Sequence, residues 1–97
     1  MFFGNKLREL REKKGLVLRQ IAAALEVDTA TVSKIERGDR QAKEEQLIQF
    51  SKILETDIVE LKILWVADQI YQVVDRNKEQ ALQALQIAEK ELVKLKK

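Results

Sequence analysis

Apolar residues recur at spacings of three and four along almost the whole chain, rather than in the alternation that marks a strand. This spacing lines up apolar side chains on one face of an α-helix. We therefore predict an all-α fold built from six helices. Their predicted bounds are residues 4–14, 18–25, 29–37, 43–54, 58–74 and 79–96.

The apolar faces of the first five helices predict one shared core. A chain of 97 residues is long enough to bury one core of modest size. The predicted core residues are Leu7, Leu10, Ile21, Ala22, Leu25, Val32, Ile35, Leu47, Phe50, Leu54, Ile58 and Leu61.

Residues that favour helix ends lie at several of the predicted boundaries. Gly15 follows the first helix, where a left-handed residue is favoured. Asp28 precedes the third helix and Asp57 the fifth, and aspartate is a good N-cap. Glu60 stands three residues after Asp57, which makes the start of the fifth helix a variant of the capping box. The run 75–78 is the only polar interruption predicted before the last helix.

Composition narrows the chemistry that the chain can perform. It contains no cysteine and no histidine, which removes the thiolate nucleophile, the zinc–sulfur site and the commonest general base. No paired carboxylates, phosphate-binding glycine loop or serine–histidine arrangement is visible. We therefore expect no enzyme activity, no catalytic residue, no metal and no cofactor.

Charge and hydropathy point to a protein of the cytoplasm. The apolar stretch Met1–Gly4 is too short for a signal sequence, and no run reaches transmembrane length. The net charge of +2 arises from residues 1–45, because residues 46–97 are balanced. Binding to nucleic acid would therefore depend on placed contacts rather than on bulk charge.

Residues 18–35 have the pattern of a helix-turn-helix. Two helices that cross steeply through a short turn need a small residue at their contact, and Ala22 supplies it. Apolar residues such as Val27 and Val32 pin the second helix against the first. Its remaining side chains are short and polar or basic, as in Thr29 and Lys34, which suits approach to base edges in the major groove.

In these residues the chain resembles the lambda-repressor-like family, also called the XRE or Cro family, of helix-turn-helix regulators. The resemblance covers residues 7–61. Its strongest marks are the run from Leu7 to Glu12, the pair Ile21-Ala22, the string from Val32 to Gly38, and the fourth helix. It implies a five-helix DNA-binding domain followed by a C-terminal helical extension. We place the domain at residues 1–65 and the extension at residues 66–97.

The chain departs from the family pattern at two places. Glu26 stands in the turn where the family usually has glycine, which would cost about 1 kcal/mol if this residue is left-handed. Val17 and Leu18 stand where the family usually opens the second helix with serine or threonine. Phosphate binding there would then fall to backbone amides and to Arg19.

The resemblance also implies roles for individual residues. Thr29, Ala30 and Lys34 match base-reading positions, and Thr31 and Ser33 lie beside them with one or both on phosphate. Arg37, Arg40 and Lys43 match the backbone-contacting loop that follows. Glu36 matches a scaffold position, which we expect to pair with an arginine of the first helix such as Arg11.

The C-terminal third carries two apolar stripes, one on each side of the polar run 75–78. We expect them to form a homodimer interface, since an isolated last helix would be marginal in water. The alternative, in which the last helix folds back on its own domain, stays open. The predicted dimerisation residues are Ile70, Val73, Val74, Leu85, Ala88 and Leu92.

Taken together, these patterns predict a dimeric transcriptional regulator, expected to be a repressor or autoregulator that reads a palindromic operator in double-stranded DNA. Its expected location is the cytoplasm, in association with the nucleoid. The alternative is a protein-interaction adaptor or antitoxin-like partner that uses the same scaffold, with a partner protein on the C-terminal helix. Salt-dependent affinity for duplex DNA separates the two.

Overall fold

The computed structural model describes residues 1–96, and over that part of the chain all regular structure is α-helical. This confirms the predicted all-α class. The six helices are α1 (Phe2–Lys13), α2 (Leu18–Leu25), α3 (Thr29–Arg37), α4 (Gln46–Leu54), α5 (Ile58–Arg76) and α6 (Lys78–Leu95).

The predicted starts of the first and fourth helices were wrong. Helix α1 begins at Phe2, not at residue 4, because the Asp68 carboxylate of α5 accepts the Phe2 and Phe3 amides at 2.8 and 3.2 Å. Helix α4 begins at Gln46, not at residue 43. The Lys43 amide donates to Gln46 Oε1 at 2.9 Å, and the residues between them form a turn.

The predicted break between the last two helices was too long. Only Asn77 separates α5 from α6, and its side-chain amide donates to the Val73 carbonyl at 2.8 Å. The neighbouring charged residues stay helical because exposed charged side chains are compatible with a helix. Helix α5 is continuous across residues 65 and 66, where the sequence placed a domain boundary, and the division of the chain into two units stays a prediction.

Helices α1 to α5 enclose one core, and nearly every predicted core residue lies in it. Leu10 is only partly buried, and Ile58 is 39% exposed because it is the first residue of its helix. The buried apolar residues of this core are Phe3, Leu7, Ile21, Ala22, Leu25, Val32, Ile35, Ala42, Leu47, Phe50, Leu54 and Leu61.

Helices α1 and α3 cross so closely that only glycine fits at residue 4. A Cβ on Gly4 would lie 2.5 Å from the Ile35 carbonyl oxygen and closer still to that of Glu36. From the sequence, residue 4 was predicted only as the start of the first helix. Its structural role is to let α1 approach the C-terminal half of α3.

A left-handed residue follows each of the first four helices. Gly15 has φ of 69°, as predicted for the end of α1, and Gly38 has φ of 81° at the end of α3. Glu26, at the end of α2, has φ 58°, so it is left-handed, which is the case in which the sequence analysis attached a cost to it. Glu55 has φ 52° after α4, and no feature of the sequence had marked it.

Helix α6 stands apart from this core. It contacts α5 and no other helix of the described residues, and Ala81 is its one buried side chain. The radius of gyration is 15.5 Å, compared with about 13 Å for a compact chain of about 100 residues. None of the described helices is long and apolar enough to span a membrane.

Replacing Glu26 by glycine tests the strain in the α2–α3 turn. Glu26→Gly should raise the free energy of unfolding by about 1 kcal/mol, because glycine adopts φ near 60° without steric cost. Urea unfolding at one fixed protein concentration measures the change. The matched control is Ala23→Gly, on an exposed α2 position, which should lower stability by about 0.5–1 kcal/mol. A lower free energy of unfolding in both variants would contradict the proposed backbone strain at Glu26.

Candidate nucleic-acid interface

Helices α2 and α3 are joined by a three-residue turn, Glu26–Asp28, and pack against each other. Ala22 is buried at their contact, and its carbonyl accepts the Val27 amide at 3.0 Å. Val27 packs against the core beside Val32. The small residue and the apolar pins therefore occupy the places that the sequence pattern predicted for them.

Helix α3 has one buried and one free face. Val32, Ile35 and Glu36 are buried against α1 and α2. Successive residues turn by about 100°, so Ala30 and Lys34 lie on the opposite face, where both are exposed. Across the described residues, α3 packs against no helix other than α1 and α2, which leaves this outer face open.

Thr29 and Arg37 complete the exposed face of α3, at its first and last residues. Arg37 Nε lies 3.2 Å from Asp39 Oδ2, and both side chains are more than half exposed. A pair of this kind is worth little in water and can be exchanged for another anion.

Thr31 is placed differently from its neighbours because its hydroxyl belongs to the helix cap. It donates to Asp28 Oδ1 at 2.7 Å, and the Thr31 amide donates to the same oxygen at 2.8 Å. These hydrogen bonds hold the pKa of Asp28 below its ordinary value, with smaller contributions from the positive charges of Lys34 and Arg40. Asp28 therefore carries a negative charge beside the free face of α3.

Ser33 is half-buried and lies on the side of α3 that faces α1. It lines a groove together with Asn5 and Arg8 of α1 and Arg37 of α3. Arg8 also pairs with Glu12, at 2.7 Å along the same helix. Asn5 and Arg8 were not predicted as interface residues, because only the close crossing of α1 and α3 brings them beside Ser33.

The start of α2 has a cap that the sequence analysis missed. Val17 has no side-chain acceptor, but its amide donates to Gln20 Oε1 at 2.8 Å, which is half of a capping box. The signal was present, since glutamine stands three residues after the N-cap position. Arg19 is exposed and lines a shallow depression with Leu18 and Thr29.

A buried ion pair holds α1 and α3 together, as expected if Glu36 is a scaffold residue that pairs with an arginine of the first helix. Arg11 Nε and Nη2 donate to the two Glu36 carboxylate oxygens at 2.7 and 3.1 Å, and Arg11 Nη1 donates to the Leu16 carbonyl at 3.0 Å. These hydrogen bonds with Glu36 raise the pKa of Arg11. The pairing of Glu36 with Arg11 is thereby confirmed.

The loop between α3 and α4 carries the last two predicted contact residues, Arg40 and Lys43, and both are exposed. Trp65 of α5 anchors this loop, because its indole Nε1 donates to the Ala42 carbonyl at 2.7 Å. The anchor could not be found from the sequence, since 23 residues separate the two groups.

Helices α2 and α3 and the loop after α3 thus carry five exposed cations, and acidic residues lie close to three of them. Asp28 and Asp39 face members of this group directly. Among residues 1–96 no group of acidic, histidine or cysteine side chains could hold a metal ion. The five cations are Arg19, Lys34, Arg37, Arg40 and Lys43.

The predicted dimerisation residues lie away from this surface, on α5 and α6. Val74 is half-buried, and the other five are exposed. Among residues 1–96 nothing buries these five side chains.

Comparison with known proteins identifies the segment that contains both α2 and α3. A family model described as a helix-turn-helix domain matches residues 3–63, from the start of α1 into α5. No curated protein and no solved structure matches the chain. The matched segment includes every exposed cation described above.

The Asp28 cap should make stability depend on acidity in a defined direction. Because the pKa of Asp28 is lowered on folding, its contribution is complete above the ordinary aspartate value of about 4. That contribution is lost as the pH falls through the lowered value. Thr31→Val removes the hydroxyl donor and should raise the pKa of Asp28, as measured by NMR titration of its carboxyl carbon.

The matched control for this titration is Thr29→Val, the same change at an exposed neighbour whose hydroxyl does not take part in the cap. It should leave the pKa of Asp28 unchanged. Equal effects of the two substitutions would show that the Thr31 hydroxyl is not the cause.

Removing the partner of Arg11 should be costly. Glu36→Ala leaves a guanidinium with little solvent access and should lower the free energy of unfolding by about 3 kcal/mol. Glu44→Gln is the control, because it breaks an exposed ion pair with Lys62 and should cost less than about 1 kcal/mol. Urea unfolding compares them, and similar losses would contradict a structural role for the buried pair.

Proposed function

The chain belongs to the helix-turn-helix domain family, and from that premise we propose that it is a sequence-specific transcriptional regulator which inserts α3 into the major groove of DNA. The observation that carries the proposal is the free face of α3. It is polar and basic, it packs against no other helix of the described residues, and α1 and α2 hold it rigidly from behind.

The side chains of α3 divide into two groups by their position. Thr29, Ala30 and Lys34 lie on the exposed face, which suits contact with base edges. A lysine there favours the acceptors of guanine, and the threonine or alanine methyl favours the methyl group of thymine. Thr31 and Ser33 are half-buried at the two edges of this face, which suits contact with phosphate more than with bases.

Arg37, Arg40 and Lys43 are assigned to phosphate contacts on one side of α3, and Arg19 to those on the other. The α2 amides near Arg19 add a further anion site, because helix N-termini attract phosphate. With a net charge of only +2, such placed contacts have to supply most of the affinity.

A single α3 reads only a few base pairs, so we further propose that the protein acts as a homodimer on a palindromic operator. Two recognition helices about 34–36 Å apart would contact successive major grooves.

The remaining features of the proposal are the five-helix lambda-repressor-like arrangement of α1 to α5, a role as repressor or autoregulator, and a cytoplasmic, nucleoid-associated location. It is proposed as a binding protein rather than an enzyme.

The exposed apolar residues of α5 and α6 favour a second candidate function, a protein-interaction adaptor or antitoxin-like partner. Surfaces of this kind on a folded protein mark interaction sites. The two candidates differ in their behaviour with salt. A regulator loses duplex affinity steeply as salt rises, whereas an adaptor has no such affinity to lose.

Two substitutions separate base reading from phosphate binding at the proposed interface. After selection of bound sequences from a random duplex pool, Lys34→Ala should weaken binding by about 1–3 kcal/mol and relax the preference at one base position. Arg40→Ala should weaken binding to all sequences alike and reduce the salt slope by about 1. Fluorescence anisotropy with labelled duplexes at several salt concentrations measures both effects.

The control for these experiments is Lys52→Ala, which removes an exposed lysine of α4, a helix that does not contact α3 in the described residues. It should leave affinity and specificity unchanged. Failure of the wild-type protein to enrich any sequence, together with retention that does not depend on salt, would overturn the regulator in favour of the adaptor.

A further inference from the structure

Helix α5 has two faces, and the one turned away from the core is apolar and uncovered. Its residues follow the 4-3-4-3 spacing of a helix-packing seam, and most of them line a shallow apolar groove. We call them the α5 stripe: Val59, Ile63, Val66, Ile70 and Val73.

Helix α6 carries a second stripe with the same spacing. Only its first member, Ala81, is buried, whereas Leu92 and Leu95 are 55% and 81% exposed. We call this set the α6 stripe: Ala81, Leu85, Ala88, Leu92 and Leu95. At a rise of 1.5 Å per residue, both stripes are about 21 Å long.

The two stripes match each other, but within one chain only Ala81 of the α6 stripe is buried against α5. In a closed antiparallel hairpin, Val73 would face Ala81 and Ile63 would face Leu92. Ile63 is instead 62% exposed, so the far half of α6 does not lie along α5.

The connection between the helices explains why the hairpin is open. Asn77 is the only non-helical residue between α5 and α6, whereas helix–helix connections usually have about 2–8 residues. So short a connection prevents α6 from turning back along its own α5. Short hinges are also the setting in which an element is exchanged between identical chains.

We propose that α6 of each chain docks antiparallel on the α5 stripe of a second copy, forming a two-fold exchanged dimer. The second copy is the occupant that fits, because it supplies a stripe of equal spacing and length. Covering both stripes would bury on the order of 800 Å² per chain, which is what each partner contributes to a stable interface. It would also give α6 the packing surface that an isolated helix of this length needs.

The exchanged dimer deepens the proposed function and rests on it, since a palindromic site is read by two copies of α3. Trp65 lies on the core face of α5 and holds the loop that carries Arg40. The α5 stripe lies on the opposite face of the same helix. The dimer contact and the anchor of the loop that carries Arg40 therefore use two sides of one helix and do not compete for surface.

Two single variants of the full chain, Ile63→Glu and Leu92→Lys, test the exchange. Each puts a charge into both copies of the seam and should weaken dimerisation at least about 100-fold, so that sedimentation equilibrium gives a monomer. Mixing the two should restore a heterodimer. One seam then pairs glutamate with lysine, and the other pairs the native isoleucine and leucine.

The matched control is Ile87→Glu, the same kind of change on α6 at an exposed residue about 140° around the helix from Leu92. It should remain dimeric. Because all three substituted residues are exposed in a single chain, circular dichroism and Trp65 fluorescence should show that each variant is folded.

A wild-type protein that is monomeric at micromolar concentration would overturn the exchange, and so would two single variants that both stay dimeric. Two monomeric variants that form no heterodimer on mixing would also overturn it, in favour of pairing between like helices. Salt-dependent binding to random-sequence duplex is measured on the same samples. Loss of the exchange with retained duplex binding rejects the dimer architecture alone, and a heterodimer without duplex binding rejects the regulator alone.

Discussion

The ion pair between Arg11 and Glu36 holds α3, the proposed recognition helix, in place. One guanidinium joins three parts of the chain, because it donates to the Glu36 carboxylate of α3 and to the Leu16 carbonyl just before α2, from its own position in α1. Glu36 is 7% exposed, so this carboxylate depends on Arg11 for its partner. Gly4 allows the approach of α1 that brings the two charges together. Because the inner face of α3 is held by this ion pair, its outer face needs no packing contacts and can be polar.

Helix α5 connects the two surfaces that the proposed function uses. Asp68 and Trp65, on its core side, cap α1 and anchor the loop after α3. Its opposite side carries the α5 stripe, which no part of the described chain covers. A protein with little net charge gains affinity by doubling its contacts rather than by strengthening a general attraction to phosphate. The arrangement of α5 would let dimer formation support that doubling without disturbing the recognition helix.

The parts of the fold that depend on local pattern were predictable. Helices α2 and α3 begin and end where the apolar spacing and the Asp28 cap place them, and the strain at Glu26 followed from the absence of glycine in the turn. The starts of α1 and α4 were not predictable to the residue. The start of α1 depends on Asp68, which is far away in sequence, and that of α4 on a glutamine side chain that reaches back to a loop amide. The proposed contact residues on α3 were implied by the resemblance to the lambda-repressor-like family, but the different surroundings of Thr31 and Ser33 were not.

The sequence by itself determined the helical class, the order of the helices, the core-facing positions and the helix-turn-helix, because these depend on spacings within one or two turns of helix. Only the tertiary structure decided which side chains remain free. It placed Asn5 and Arg8 beside Ser33, tied the loop of Arg40 to Trp65, and left α6 in contact with α5 alone, with Ala81 as its one buried side chain. The physical reason is that burial and pairing between distant residues depend on how helices cross, and the crossing is set by the packing of the whole core rather than by any local pattern.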